Sequence, residues 1–374
     1  MTIRNTVSAL LLSLVISLCA QAETVALNPD HPDRYVVTKG DTLWDISARF
    51  LRDPWKWPDV WELNPQIKNP HLIYPGDTVS LVFRNGQPVL QVERGPAAPA
   101  PTTEAAAEAA PAPAPTPGPS PGEPNTVKLS PQVRITTLER PIPTVPTDAI
   151  EQFLLRAQVI SPEDEKKSGY IVSMEEERLV GGTGNKIYAR GIGQIAGGHF
   201  EVVRLGKVYR DPDAKKNDVL GHEALHVADA HIDAYGDPST LTIVKAARES
   251  LIGDRVLPDQ NEAAINYNFL PSAPKQPVQG KIIALFDAVS RVGQYQVVVL
   301  NRGQRNGLQP GHVLAISHAG ETVRDAVGGK GKDLLLPDTQ SGVLMVVRVF
   351  DKVSYGLVMR ATRDIHLYDM VKNP

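Results

Sequence analysis

The sequence predicts a multidomain α+β protein: a βααβ module, a Pro/Ala-rich tether, and a β-rich body that ends in a small antiparallel, SH3-like barrel. Three observations lead to this class. Composition changes sharply after Gly95, where proline and alanine take over. Before that break, apolar residues recur at helical spacing between two strand-like runs; well after it, they alternate with a period of two. The length of 374 residues allows two or three domains.

The first residues indicate export from the cytoplasm. Residues 1–22 are predicted to be a secretory signal peptide, with Arg4 as its positive charge, an apolar run from Val7 to Leu18, and Ala20-Gln21-Ala22 as a small-residue cleavage site. The apolar run is shorter than the about 20 residues that a membrane-spanning helix needs. We therefore expect a periplasmic protein.

Cysteine content and charge exclude several classes of function. Cys19 is the only cysteine and lies within the signal, where a lipoprotein alternative stays open although the preceding Leu18 is larger than a lipidation motif accepts. The mature chain then has no disulfide and no thiolate nucleophile, which excludes Cys–His hydrolases and transpeptidases. A net charge of -3 does not indicate nucleic acid as a partner.

The module at residues 35–83 begins with a strand, a turn and a capped helix. Tyr35–Thr38 is predicted to be a short strand and Lys39-Gly40-Asp41 a turn. Thr42 is placed to cap a helix, with Asp45 three residues later. The buried stripe of this helix is predicted to comprise Leu43, Ile46 and Phe50.

A second helix and a second strand complete the module. Pro58 suits the first turn of a helix that carries Val60, Trp61 and Leu63. The run Asn69–Asp77 then leads into a second strand. Three residues of that strand are predicted to face one way: Val79, Leu81 and Phe83.

The segments GDTL, from Gly40, and NPHLIYPGD, from Asn69, are similar to the two motifs of the LysM family. The resemblance implies binding of glycans that contain N-acetylglucosamine, here peptidoglycan, in a groove between the loop before the first helix and the loop before the second strand. The binding residues that it implies are Gly40, Asp41, Thr42, Leu43, Pro70, His71, Leu72 and Ile73. An alternative stays open for Asp41 and Thr42, because capping of the first helix alone explains them.

The four tryptophans of the chain all lie in this module. Trp44, Trp55, Trp57 and Trp61 offer aromatic faces on which a sugar ring can stack. For Trp61, the helical spacing favours core packing instead.

Beyond the module, the sequence predicts a tether and two β-rich regions. Residues 95–126 form a Pro/Ala-rich linker with a reach on the order of 90 Å in the polyproline II form. Residues 127–277 are expected to be a β-rich middle region with one short helix, and residues 278–374 a small barrel. Thr147-Asp148 is placed to cap that helix, whose apolar face is Ile150, Phe153, Leu154 and Ala157.

Strands in both regions are predicted from period-two alternation, with a tight turn at Asn306–Gly311. The predicted strands are Lys186–Arg190, Phe200–Arg204, Leu241–Val244, Tyr295–Leu300, His312–Ile316, Val343–Phe350 and Tyr355–Met359.

The order of signal, LysM module, linker and β-rich body resembles the family of the type IV pilus secretin-associated protein TsaP, with a C-terminal domain similar to that of the flagellar T-ring protein FlgT. The resemblance continues in three segments after the linker: Gly206–Pro212, Leu220–Ala224 and Ile252–Pro258. It implies a scaffold that anchors an outer-membrane pilus secretin to the wall, with copies of the chain around the secretin ring.

One segment suggests an enzyme. His222-Glu223-Ala224-Leu225-His226 matches HExxH, in which two histidines bind zinc and the glutamate is a general base. That chemistry requires a helix, whereas the flanking residues alternate as in a strand, where the two histidines would lie about 13 Å apart. We therefore predict a strand here, no metal, no cofactor and no enzyme activity. A wall hydrolase and, less favoured, a zinc peptidase remain the alternative functions.

Overall fold

The computed structural model describes residues 25–61, 73–84, 86–94, 142–146, 157–214, 218–259, 269–286, 290–324 and 333–374. Several predicted features lie outside these residues: the signal at 1–22, Leu63 of the predicted second helix, Pro70, His71 and Leu72 of the second loop, the linker at 95–126, and all but the last residue of the helix predicted from Thr147. Within the described residues, no helix is long and apolar enough to cross a membrane.

The chain divides into two compact units. The first contains the described parts of Met1–Asp41, Ala48–Arg52 and Asp59–Ile142. The second contains those of Thr42–Ser47, Asp53–Pro58 and Pro143–Pro374. The helices of the N-terminal module therefore contribute residues to both units.

The N-terminal module has the predicted order of elements and one further strand. Its elements are β1 (Arg34–Val36), α1 (Leu43–Phe50), a 3-10 turn (Pro54–Lys56), α2 (Trp57–Trp61), β2 (Thr78–Arg84) and β3 (Gln87–Glu93). The three strands pair in the order β1-β2-β3, with Arg84 opposite Gln87 across a tight hairpin. Strand β3 was not predicted; its second residue is Pro88, and a proline within a strand-like run argues against a strand because it cannot donate to the ladder.

The predicted apolar stripe of the first helix is confirmed. Leu43, Ile46 and Phe50 are buried, with at most 2% of their surface exposed. The predicted apolar face of β2 is confirmed only in part, because Val79 is buried whereas Phe83 is exposed near the hairpin end of the strand.

The middle region of the second unit is built on a seven-stranded sheet. Its elements are β4 (Ala157–Ile160), α3 (Pro162–Lys167), β5 (Gly169–Met174), a 3-10 turn (Glu175–Glu177), β6 (Lys186–Arg190), β7 (His199–Arg210), β8 (Val219–Ala234), β9 (Ser239–Ala246) and β10 (Arg255–Pro258). The strands pair in the order β4-β8-β7-β10-β5-β6-β9, and β9 also pairs with β8, so the pairings from β8 to β9 form a closed ring to which β4 is added. Apolar side chains from alternate positions form its core, including Ile187, Phe200, Val202 and Leu241.

The predicted helix of this region is corrected at the one position that the structure describes. Ala157 begins strand β4 and pairs with Leu225. The helix that is described, α3, was missed. Ser161 caps it, since the Ser161 hydroxyl accepts a hydrogen bond from the Asp164 amide at 3.0 Å, and Pro162 occupies its first position. Its six residues are too few to show the apolar periodicity from which a helix is predicted.

The C-terminal region is a closed six-stranded barrel, which confirms the predicted barrel. The barrel strands are β11 (Gln279–Leu285), β13 (Val297–Leu300), β14 (Val313–His318), β17 (Thr339–Val349), β18 (Ser354–Ala361) and β20 (Met370–Lys372). They pair in the order β11-β13-β18-β17-β14-β20. Two short ladders accompany it: β12 (Arg291–Val292) with β19 (Ile365–His366), and β15 (Thr322–Arg324) with β16 (Asp333–Leu335). A 3-10 turn at Gln304–Asn306 and the left-handed Gly307 form the predicted turn before β14.

Barrel strand β13 is buried on both faces. Val298 and Leu300 belong to the core inside the barrel. Val297 and Val299 belong to a second cluster of the same unit, which also contains Trp44 and Tyr355. The strand begins at Val297 rather than at the predicted Tyr295, because Tyr295 has a left-handed backbone (φ 62°) that a strand does not adopt.

Candidate functional site

The turn after β1 is held by a side chain that the glycan hypothesis singled out. The Asp41 carboxylate accepts hydrogen bonds from the Tyr35 hydroxyl (2.9 Å), the Thr38 amide (2.8 Å) and the Thr38 hydroxyl (3.0 Å). Gly40, exposed at the tip, has φ of +100°, which an L side chain adopts only with strain. Asp41 is thus engaged in shaping the loop, and Gly40 presents its backbone to solvent.

Thr42 caps α1 as predicted. Its hydroxyl accepts a hydrogen bond from the Asp45 amide (3.1 Å) and donates one to the Asp45 carboxylate (2.7 Å). The second Asp45 oxygen accepts from the Tyr295 hydroxyl at 2.7 Å, within the second unit. Burial, together with this bond, raises the pKa of Tyr295. Thr42 and Leu43 are themselves buried, so their side chains are not free to contact a sugar.

The backbone amides of Leu43, in the first predicted loop, and of the next residue, Trp44, are already paired inside the second unit. The Leu43 amide donates to the Pro143 carbonyl at 3.0 Å, and the Trp44 amide donates to the Thr144 carbonyl at 3.2 Å. A ligand that used these donors would have to displace both carbonyls.

The second predicted loop is described only from Ile73 onward; Pro70, His71 and Leu72 lie outside the described residues. Ile73 is fully buried. Tyr74–Asp77 is a tight turn, in which the Asp77 carboxylate accepts from the Tyr74 amide at 3.0 Å. This role of Asp77 was not predicted. For Asp41, the structural alternative was capping of the first helix, whereas its carboxylate holds the turn that precedes the helix.

Strand pairing in the first unit brings the two predicted loops to one end of the sheet. Val36, at the end of β1, lies opposite Thr78, at the start of β2. Because the pair is antiparallel, the chain leaves β1 and enters β2 on the same side. Gly40 and Asp41 follow β1, and Ile73 precedes β2. The first unit therefore contains parts of both loops, while Thr42 and Leu43 belong to the second.

The tryptophans are mainly core residues. Trp57 is fully buried, Trp44 is 3% exposed and Trp61 is 5% exposed, which confirms the expectation for Trp61. Trp55 is half-buried, with the Lys56 ammonium 5.2 Å from the centre of its ring. Among the four, Trp55 alone keeps surface on which a sugar could stack.

The HExxH segment lies in strand β8, as predicted, and not in a helix. Its two histidines have different acidic neighbours. His222 Nε2 lies 3.5 Å from a Glu165 carboxylate oxygen, and His226 Nδ1 lies 2.7 Å from a Glu201 oxygen. The structure therefore does not form the helical pair that a zinc peptidase requires.

The glutamate of the motif also has a local role. The Glu223 carboxylate accepts a hydrogen bond from the Lys207 amide at 3.2 Å and packs against Gly206. It lies where β7 bulges away from β8, between the pairs Leu205–Ala224 and Val208–His222. The carboxylate thus accepts a hydrogen bond from a backbone amide, that of Lys207, which the bulge removes from the β-ladder.

We expect the two histidines of the motif to differ in their effect on stability. The His226 and Glu201 side chains are 7% and 2% exposed, so His226→Ala leaves a buried carboxylate short of a partner and should cost about 1–3 kcal/mol. His222 and Glu165 are each 22% exposed, and His222→Ala should cost less than about 1 kcal/mol. Urea unfolding of the full-length variants measures both. Equal losses would contradict these separate roles.

Comparison with known proteins identifies the N-terminal module. A family model described as LysM domain matches residues 35–81. Over 60 residues, the chain is 37% identical to the uncharacterized protein YqbP of Bacillus subtilis (strain 168). That alignment spans 13% of this chain and 27% of YqbP. The chain therefore contains a LysM domain, which is a binding module and suggests attachment to peptidoglycan.

Proposed function

We propose that this chain is a non-enzymatic scaffold of the cell envelope, which its LysM domain attaches to peptidoglycan. The observation that carries the proposal is the LysM match at residues 35–81, on a segment with the order β1-α1-α2-β2. LysM domains bind the N-acetylglucosamine-containing glycan of peptidoglycan. Residues 1–22 would export the chain to the periplasm, where that polymer lies.

The proposed glycan site comprises residues 40–43 and 70–73. Buried side chains at Thr42, Leu43 and Ile73 favour recognition through backbone groups rather than side chains. N-acetyl groups suit recognition by the backbone, because their amide pairs with backbone donors and acceptors while their methyl group needs only a small apolar pocket. Where the glycan pairs with the Leu43 amide, it takes the place of the Pro143 carbonyl.

Two glycines allow a matched test of this site. Gly40 and Gly76 have φ of +100° and +96°, and a Cβ added to either meets no heavy atom within 4 Å. Alanine at either position should therefore strain the backbone by a similar amount, about 1–2 kcal/mol. Only Gly40 lies in the proposed site, where the added methyl would project toward the sugar.

We expect Gly40→Ala to weaken binding of full-length protein to purified sacculi and chitin oligomers several-fold, and Gly76→Ala to leave both nearly unchanged. Cosedimentation and calorimetry measure the binding, and thermal unfolding checks that the two variants are equally destabilised. Equal binding by both variants would place the site elsewhere. Release of soluble fragments from the sacculi by the wild type would instead support the wall-hydrolase alternative.

The partner that we propose is an outer-membrane secretin of the type IV pilus, with several copies of the chain around its ring. Support comes from the resemblance in Gly206–Pro212, Leu220–Ala224 and Ile252–Pro258, and from the β-rich body that carries them. In this arrangement, residues 95–126 are the tether, the LysM domain is the wall end, and an SH3-like barrel at residues 278–374 belongs to the partner end.

A further inference from the structure

Three metal-ligating side chains meet at one end of the C-terminal barrel. His318 ends β14, His366 ends β19, and Asp369 lies in the turn before β20. Each offers one ligand atom, and the three atoms lie within 4.8 Å of one another. Within the described residues, no other three His, Cys, Asp or Glu side chains come together in this way.

Hydrogen bonds satisfy only some of the polar atoms of this cluster. The Asp369 side chain is 3% exposed, and its two oxygens accept from the His318 ring at 2.6 Å and from the His366 amide at 2.8 Å. The His318 and His366 rings lie 5.3 Å apart, centre to centre. However, His366 Nδ1 is buried and has no hydrogen-bond partner among the described residues. A buried ring nitrogen without a partner is uncommon, and it is the feature that calls for a ligand.

A cleft gives access to these rings from solvent. It has a volume of about 420 Å³ and is lined by both histidines together with residues of the neighbouring loops, including Leu336, Pro337 and Arg363. His318 keeps 46% of its side chain exposed at the mouth, so it can move. The cleft leaves room for a water molecule or another small donor beside the cluster.

We propose that His318, His366 and Asp369 bind a zinc ion, a property that goes beyond the proposed wall attachment. Two imidazoles and one carboxylate are a ligand set that zinc accepts, whereas magnesium and calcium prefer oxygen ligands alone. Ligand atoms on one tetrahedral zinc lie roughly 3.3 Å apart, so the cluster must contract by about 1.5 Å at its widest. The exposed His318 can supply most of that movement. Zinc then takes the place of the hydrogen between His318 and Asp369, which leaves to solvent as a proton, and the fourth position opens to the cleft.

Zinc binding to the purified full-length chain tests the proposal. After chelator treatment, titration with zinc chloride followed by calorimetry should show one zinc per chain at this site. His318→Gln and His366→Gln should each weaken that binding by more than about tenfold, because each removes one of three protein ligands. Zinc should also raise the thermal unfolding temperature of the wild type and not that of the variants.

A second histidine pair serves as the matched control. The His199 and His231 rings lie 5.1 Å apart at nearly the same angle, both residues are exposed, and neither belongs to a three-ligand cluster within the described residues. His231→Gln should keep the zinc. Retention of full zinc affinity in folded His318→Gln would overturn the proposal, as would an equal loss in His231→Gln or no binding by the wild type. His318→Gln keeps the test decisive if His366→Gln fails to fold, because His318 is half-exposed.

Discussion

Replacing Trp44 by alanine should lower the free energy of unfolding of the second unit by about 3–5 kcal/mol, the usual cost of removing a buried aromatic side chain. Trp44 is 3% exposed and belongs to the same buried cluster as Val297, Met345 and Tyr355. Alanine leaves a cavity that β-strand neighbours fill poorly, because their backbones are fixed by the ladder. Urea unfolding of the full-length protein, followed by far-UV circular dichroism, measures the change.

Trp55→Ala is the matched control for this experiment. Trp55 is half-buried and packs at the edge of the same cluster, so its loss should cost about half as much or less. If Trp44→Ala costs no more than Trp55→Ala, Trp44 does not belong to the core and becomes available again as a sugar platform.

Deleting residues 95–126 should abolish function in cells while leaving wall binding in vitro intact. If the chain holds a secretin to the wall, both of its ends must act at once, and the tether sets the distance over which they can. A Pro/Ala-rich tether in the polyproline II form would reach on the order of 90 Å, and a direct fusion of the two flanking segments would lose that reach. Pilus assembly in cells and cosedimentation with sacculi measure the two effects separately.

A Gly/Ser linker of the same length is the control for that deletion. Its mean span is about 30 Å, and longer excursions remain accessible, so it should restore part of the cellular function. Function retained after the deletion would show that wall and partner need not be held together by this chain. Undiminished cellular function in a variant that binds sacculi several-fold more weakly, as we expect of Gly40→Ala, would argue against wall attachment as its role.

Features that depend on neighbouring residues could be predicted from the sequence. The Thr42 cap, its bond to Asp45 and the left-handed turn at Gly40 are each formed within a few residues, so the local pattern specifies them. The alternation that predicted β6 at Lys186–Arg190 is likewise local, and its bounds agree with the structure. The same reasoning excluded a helix at His222–His226, which the structure places in β8.

Features that depend on residues far apart in the chain required the tertiary structure. Alternation indicates that a strand has a buried face but not which strand covers it, so the burial of Trp44 beside Val297 and Tyr355 could not be predicted. Nor could the separate partners of His222 and His226, because bulges in β7 change the register between the pairs that they form. The motif led to the proposal that residues 40–43 bind glycan, yet only the fold showed that Thr42 and Leu43 are buried.

The sequence by itself determined the LysM module and the β-rich class of the body, because short-range spacing encodes both turn chemistry and strand alternation. Only the tertiary structure brought His318 to His366 and Asp369, about fifty positions away. Closure of the barrel brings these residues together. Because β14 pairs with β20, the end of β14, at His318, lies beside the turn before β20, which contains Asp369. No local sequence pattern encodes which strand closes the barrel. The pairing is determined by the burial of apolar side chains inside the barrel, and these come from strands far apart in the sequence.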